Sequence, residues 1–357
     1  MRDSVVCFTS FTFSYLTRAL IMVRTLRQAH PTWKIWALIT DKPPPGTDFS
    51  SQLAEFDNVL SADQLEIPRF DAWLFKHDVV EASTAVKGEM LRHLLRAGAE
   101  VVVYLDPDIA VFHSLDSTIA KLSDASILLT PHQVEPNTIE GSIRDNELTS
   151  LKYGVFNLGF LAVKNDETGS SFAEWWAKQL HFACYDEPQN GLFTDQKWCD
   201  LVPGLFDRVL VERDPGCNVA SWNLSQRHLH VSSNGGILVN DSPLKFYHFT
   251  KIDREGDLMT EKYSGDNVEV MEVWKWYKRA LEHTGVSNVP KGYWHYGNFS
   301  NGVKIPKSVR ELFRYSVSLY EYFEDPFRAD GDSFFRWLER ERADLLSNSI
   351  VGGFEAI

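Results

Sequence analysis

Glu100–Leu105 (EVVVYL) constrains this chain more than any other segment. It is almost continuously apolar, the pattern of a strand covered on both faces, and such strands belong to parallel sheets sandwiched between helices. The opening of the chain agrees. Ser4–Thr9 reads as a buried strand, and Lys34–Thr40 as a second. Between them Phe13–His30 reads as a helix, with Leu16, Ala19, Leu20, Val23 and Leu26 on one side. Strand, helix, strand implies a parallel pair joined by a crossover.

Further strands are expected at Ser126–Thr130, Val155–Val163 and Leu244–Phe249, with helices over Thr84–Ala97 and Ser170–His181. Beyond Thr250 the pattern turns helical. Val268–Glu282 places Met271, Trp274, Tyr277 and Leu281 on one face, and Ser308–Phe323 and Phe334–Leu346 follow. The expected fold is a Rossmann-like α/β/α sandwich with a mixed, mainly parallel sheet over residues 1–250. A mainly helical region, 251–357, is expected to pack on it or on a partner.

Several functions drop out early. No Gly-x-Gly-x-x-Gly follows the first strand, and no Gly-x-x-x-x-Gly-Lys-Ser/Thr or Gly-x-Ser-x-Gly occurs. A formal net charge of −13 argues against a general nucleic-acid binder, which needs a basic face. It leaves room for a small phosphate-bearing ligand if a metal supplies local positive charge. Cys7, Cys184, Cys199 and Cys217 form no Cys-x-x-Cys pair and read as buried thiols. The residues Met1–Thr9 lack the long apolar region of a signal peptide, and no stretch has the length of a membrane span. The expected location is cytoplasmic, with peripheral contact at the inner face of a membrane left open.

The chemistry is carried by Asp106-Pro107-Asp108, directly after the apolar strand. In extended chain, residues i and i+2 point the same way, so the two carboxylates can converge at the C-terminal edge of the sheet. Open α/β sheets bind ligands at that edge. Paired carboxylates repel unless a cation sits between them, and hard oxygen ligands suit Mn²⁺ or Mg²⁺. An Asp-Pro-Asp turn capping its own backbone amides is the plainer reading of the tripeptide alone. The buried strand that delivers it favours the metal.

VVVYLDPDIAVF resembles the Asp-x-Asp segment of GT-A glycosyltransferases, most closely glycosyltransferase family 8, the lipopolysaccharide galactosyltransferase and glycogenin group, and related bacterial polysaccharide enzymes. Other segments resemble that family in order: Cys7-Phe-Thr-Ser10, Thr84-Ala-Val-Lys87, Phe156-Asn157-Leu158-Gly159-Phe160, Thr194-Asp195-Gln196 and Phe246-Tyr247-His248-Phe249. The resemblance runs from about residue 4 to residue 250. Where the family has glycine after its late histidine, this chain has Lys251.

The resemblance implies a metal site of Asp106, Asp108 and His248, with Mn²⁺ or Mg²⁺ as cofactor. It implies donor contacts from Thr9, Ser10, Asp41, Lys87, Asp106, Gly159 and Lys251, and catalytic roles for Asn157, Asp195 and Gln196. The implied activity is retaining transfer of a hexose from a nucleotide sugar, a UDP-sugar, to a glycan, glycolipid or protein acceptor. Asn218–Asn223, which includes Trp222, carries polar and aromatic groups of the kind that contact sugars. Two other readings compete: a sugar-nucleotide nucleotidyltransferase, although Thr9–Phe13 has no glycine-rich phosphate loop, and an inert carbohydrate-binding protein of the same fold.

Overall fold

The computed structural model describes residues 5–252 and 255–346. Ser4, the expected first residue of the opening strand, lies outside them, as does the end of the C-terminal region. The strands that position the site are β1 (Val5–Phe11), β2 (Lys34–Ile39), β3 (Asn58–Ser61), β4 (Val101–Leu105), β5 (Ile109–Val111), β6 (Ile127–Pro131), β7 (Phe156–Lys164), β8 (Val209–Val211) and β9 (Phe246–His248). Seven of them form one sheet in the order β8-β6-β7-β4-β1-β2-β3. Only β7 runs against its neighbours β4 and β6; the remaining pairs are parallel. The fold is the Rossmann-like α/β/α sandwich expected, with a mixed, mainly parallel sheet and a helical C-terminal extension.

Alternation along β1 divides the core into two layers. Cys7 and Phe11 face the helix Leu16–Ala29, which buries Leu16, Ala19, Leu20, Val23 and Leu26 as its periodicity requires. Val6 and Phe8 face the other layer, built from the helices Lys87–Arg96 and Glu167–Ala183. Those two helices meet backbone to backbone at Gly88. A Cβ there would lie 2.7 Å from the Cα of Ala177, so only glycine allows the approach.

The helix expected over Thr84–Ala97 is two helices, Val79–Ala85 and Lys87–Arg96, hinged at Val86. The first starts earlier than its apolar pattern suggested because Asp78 and Glu81 form a capping box there. The helix expected over Ser308–Phe323 is likewise Lys307–Tyr315 and Val317–Tyr322, divided at Ser316, whose hydroxyl caps Leu319. The helix expected over Phe334–Leu346 is interrupted at Arg342: Phe334–Glu341 is followed by helical residues 343–346. In Val268–Glu282 the buried stripe is Val270, Val273, Trp274 and Tyr277. Trp274 and Tyr277 are buried as expected and Leu281 packs beside them, while Met271 is 38% exposed and Val270 takes its place. The strands β3, β5 and β8, too short for a clear alternation, had no counterpart in the sequence reading.

The C-terminal region docks at two places. Val268–Glu282 lies against β9, with Tyr277 stacked on Phe249 and the Trp274 indole N–H donating to the Tyr247 hydroxyl at 2.8 Å. Farther on, Val309, Phe313, Phe334 and Leu338 close over Ala72 and Phe75 of the short helix Phe70–Phe75. All four cysteines are buried and free. No helix among the described residues is long and apolar enough to cross a membrane.

Candidate functional site

Strand β4 ends at Leu105, and the N–H of Asp106 donates to the Gly159 carbonyl of β7 at 2.9 Å. Two residues on, the chain turns into β5, which pairs antiparallel with β9 and sets Ile109 opposite His248. That pairing carries His248 to the two aspartates. Its Nε2 lies 3.0 Å from Asp108 Oδ1 and 3.6 Å from Asp106 Oδ2. One ligand atom from each residue falls within 4.8 Å of the others.

Hydrogen bonds around Asn157 fix the state of the His248 ring. Asn157 Oδ1 accepts the backbone N–H of Gly159 at 3.2 Å, so that atom is the oxygen. The same oxygen lies 3.2 Å from His248 Nδ1, which must therefore carry a proton. When the ring is neutral, Nε2 presents its lone pair to Asp106 and Asp108, the arrangement seen for metal-binding histidines oriented by an outer partner. Two carboxylates and a so-oriented imidazole suit a divalent cation, and these residues could hold one.

A β-irregularity makes this possible. Pairing of β6 with β7 runs from Leu129–Leu161 to Thr130–Asn157, skipping Leu158, Gly159 and Phe160. Bulges of this kind re-aim side chains beside active sites. Gly159 gives the room that His248 occupies: a Cβ there would lie 2.6 Å from His248 Cε1 and 2.8 Å from Asn157 Oδ1. Gly159→Ala is expected to keep the fold at a cost of about 1–3 kcal/mol of overpacking. It should weaken divalent-metal affinity by at least about tenfold by displacing the ring. Thermal melting with and without Mn²⁺ checks this; an unchanged metal-induced shift would remove Gly159 from the site.

Lys87, at the start of its helix, is 3% exposed and sits among carboxylates. Its Nζ lies 2.9 Å from Asp195 Oδ2 and 3.2 Å from Asp106 Oδ1, and 4.1 Å from the centre of the Tyr104 ring. Burial alone would lower its pKa; Asp106 and Asp195 outweigh that and hold the ammonium charged. Burial pushes the Asp195 carboxyl up, and Lys87 opposes it. Thr194, which donates to Asp195 Oδ1 at 3.1 Å, is a buried β-branched residue at φ 42°. Such strain is stored mostly at functional sites.

The other expected residues divide. Asn157 lies against His248, with its carbonyl oxygen engaged as described. Gln196 donates to the Tyr153 carbonyl at 2.9 Å. Ser10 donates to the Ser83 carbonyl at 2.8 Å, tying β1 to the helix before Lys87. Thr9 is fully buried on the opposite layer, with Cys7 and Phe11. Asp41 uses its carboxylate on the backbone N–H groups of His295 (2.8 Å), Lys42 (2.9 Å) and Phe13 (3.3 Å). Burial nevertheless pushes its pKa to about 7. Lys251 is exposed and has no hydrogen bond or ion pair to the cluster among the described residues. Its φ of 51° keeps the left-handed backbone of the glycine it replaces.

Two residues of the site escaped the sequence reading. The Tyr104 hydroxyl donates to Asp106 Oδ1 at 2.5 Å, and its position two before Asp106 on a strand was a usable signal. His132 follows β6 at the same edge, with Nε2 3.4 Å from Asn157 Nδ2 and Nδ1 3.2 Å from the Val155 carbonyl. Burial lowers its pKa to about 4, so it is neutral. Trp222 stands edge-on to both His132 (5.5 Å) and His248 (5.3 Å).

No protein-family model matches the chain. The Bacillus subtilis protein YfnF is 30% identical over 176 residues, 48% of this chain and 57% of YfnF. YfnD of the same organism is 26% identical over 166 residues, 46% of this chain and 49% of YfnD. The chain thus spans about half the length of the curated relatives it matches. A crystal structure of the galactosyltransferase LgtC in complex with donor and acceptor sugar analogs aligns with 81% of this chain and 98% of its own. The identity is 14% and the TM-score 0.47.

Proposed function

We propose that the chain is a metal-dependent glycosyltransferase of the GT-A kind. In this reading residues 1–250 bind a nucleotide sugar, a UDP-sugar by sequence resemblance, and pass its hexose to a glycan, glycolipid or protein acceptor. The observation that carries the proposal is the convergence of Asp106, Asp108 and His248 at the C-terminal edge of a mainly parallel sheet. A divalent cation held there, Mn²⁺ or Mg²⁺, supplies the positive charge against which a diphosphate is bound and stabilised as it leaves.

The chain's own groups do the rest. Lys87 adds a fixed ammonium beside Asp106. Asp195, positioned by Lys87 and Thr194, accepts hydrogen bonds from donor hydroxyls. Gln196, its amide N–H₂ held by Tyr153, offers its carbonyl oxygen to the positive charge that develops on the sugar. Asn157 acts through His248, which it orients.

Retention, implied by the sequence resemblance, is supported by what these groups cannot do. Asn157 and Gln196 are amides, Asp195 is paired with Lys87, and the free ring nitrogen of His132 faces the Asn157 amide. None is a free base for an acceptor hydroxyl, so the leaving phosphate takes that proton in a same-face transfer. The test is incubation with a panel of UDP-hexoses and Mn²⁺, followed by proton NMR. UDP release with a product of the donor's own anomeric configuration is expected. The opposite configuration sinks retention and makes Asp195 the candidate base. Pyrophosphate release from UTP and a sugar phosphate would replace transferase with nucleotidyltransferase.

A further inference from the structure

One cleft lies apart from the carboxylate cluster. It has a volume of about 1190 Å³ and lies between the loop after β2, the start of the Val79–Ala85 helix and the C-terminal segment around residues 292–310. Its back wall is fixed to the sheet edge. Asp41 accepts the His295 N–H, and the Trp294 indole N–H donates to the Thr40 carbonyl at 3.3 Å.

The lining is cationic in an acidic protein. Lys42, Lys304, Lys307, Arg310 and Arg328 face Asp71, Asp78 and Asp325. Asp78 is already committed: its carboxylate caps the Val80 and Glu81 amides. Lys42 and Lys304 make no ion pair among the described residues. Arg310 is 3% exposed, donates to the carbonyls of Phe75 (3.0 Å) and Tyr296 (2.5 Å), and has no carboxylate partner among the described residues. Its guanidinium also lies over the Phe75 and Trp294 rings at 5.3 and 4.9 Å, so it fixes the wall of the cleft; burial lowers its pKa to about 9, opposed by Asp78 and Glu81. The half-buried rings of Trp294 and Phe327 line the same space, beside the buried Tyr296, over whose ring the Lys42 ammonium lies at 5.5 Å.

We infer that this cleft binds an acidic oligosaccharide, its carboxylates or phosphates meeting the exposed Lys42 and Lys304 and its C–H faces meeting Trp294 and Phe327. A nucleotide fits less well. The cleft exceeds the roughly 300–1,000 Å³ typical of a small-ligand pocket. The helix end beside it is closed to phosphate by Asp78. Identifying the saccharide as the acceptor rests on the glycosyl-transfer reading above; the binding itself does not.

The experiment is titration calorimetry at low salt, without metal or donor. The probes are a galacturonate hexamer, a hyaluronan hexasaccharide and a teichoic-type glycerol-phosphate oligomer, with maltohexaose as the neutral control. At least one acidic probe should bind, and bind at least about tenfold more tightly than maltohexaose. Lys42→Ala combined with Lys304→Ala, both exposed and outside the catalytic cluster, should weaken it by about tenfold or more with an unchanged melting temperature. Failure of all three acidic probes overturns the inference, as does equal binding of the neutral control or an unaffected double variant. Displacement of the probe by UDP with Mn²⁺ also overturns it, since the cleft would then belong to the donor. Binding that follows the expected pattern in a protein inert toward every nucleotide sugar keeps the cleft and removes the transferase reading.

Discussion

Asp106→Asn and Asp108→Asn should each lower Mn²⁺-dependent donor turnover by more than about a hundredfold, beyond what losing an outer-shell partner costs. Both changes keep side-chain shape but take a carboxylate from a buried cation partner, Lys87 or His248, so the melting temperature without metal should fall while the fold is kept. Asp108 shows why the charge matters. Burial would raise its pKa, but His248 at 3.0 Å outweighs that and holds the carboxyl below its ordinary value. Manganese titration by electron paramagnetic resonance, beside turnover, separates binding from chemistry. A variant with normal Mn²⁺ affinity and normal turnover would end the metal assignment.

Arg314→Met should be the most destabilising single change of those considered, by about 3–5 kcal/mol, because it strands two carboxylates in the interior. Arg314 binds Glu81 and Glu187 (Nη1–Oε1 2.6 Å), and these side chains are 1%, 0% and 6% exposed. The guanidinium also donates to the Lys76 carbonyl and lies 3.6 Å from the centre of the Tyr185 ring. Burial raises the Glu187 carboxyl, but hydrogen bonds from Tyr315, Asn190 and Arg314 hold it below its ordinary value. A depressed carboxyl contributes stability above its unfolded-state pKa and loses it as pH falls through the folded value. The variant lacks much of that contribution, so its deficit should be full near neutral pH and shrink under acidic conditions. Parallel thermal melts from pH 8 to pH 4 test this; a gap constant with pH would mean that packing, not charge, holds the Lys307–Tyr315 helix in place.

What the sequence disclosed depended on how far apart the interacting residues are. The apolar run of β4 and the five buried positions of Leu16–Ala29 follow from local periodicity, and both were legible. So was the i, i+2 convergence of Asp106 and Asp108. His248 was reached only through family resemblance, because the β5–β9 pairing that delivers it joins distant stretches of three residues each, too short to show a period. The skipped residues in β7 were hidden for the same reason, and with them the position of His132. Asn157 was expected in a catalytic role and Gly159 as a donor contact; the structure places both against the His248 ring. The break at Val86 was missed because helix propensity runs through it, while the Asp78 cap that starts the earlier helix lies outside the apolar pattern.

The β5–β9 pairing also makes the grouping of Asp106, Asp108 and His248 depend on two stretches far apart in the sequence. The turn that bears the two aspartates is pinned by the Phe249 N–H donating to the Asp108 carbonyl at 2.9 Å, so one short ladder closes the coordination set and tethers the turn. Closing so long a loop has an entropic cost that only the finished core can offset. A nascent chain halted before β9 has both aspartates but not the third ligand, and leaves β5 as an unpaired edge open to other strands. Divalent-ion affinity would therefore report whether β5 and β9 have paired.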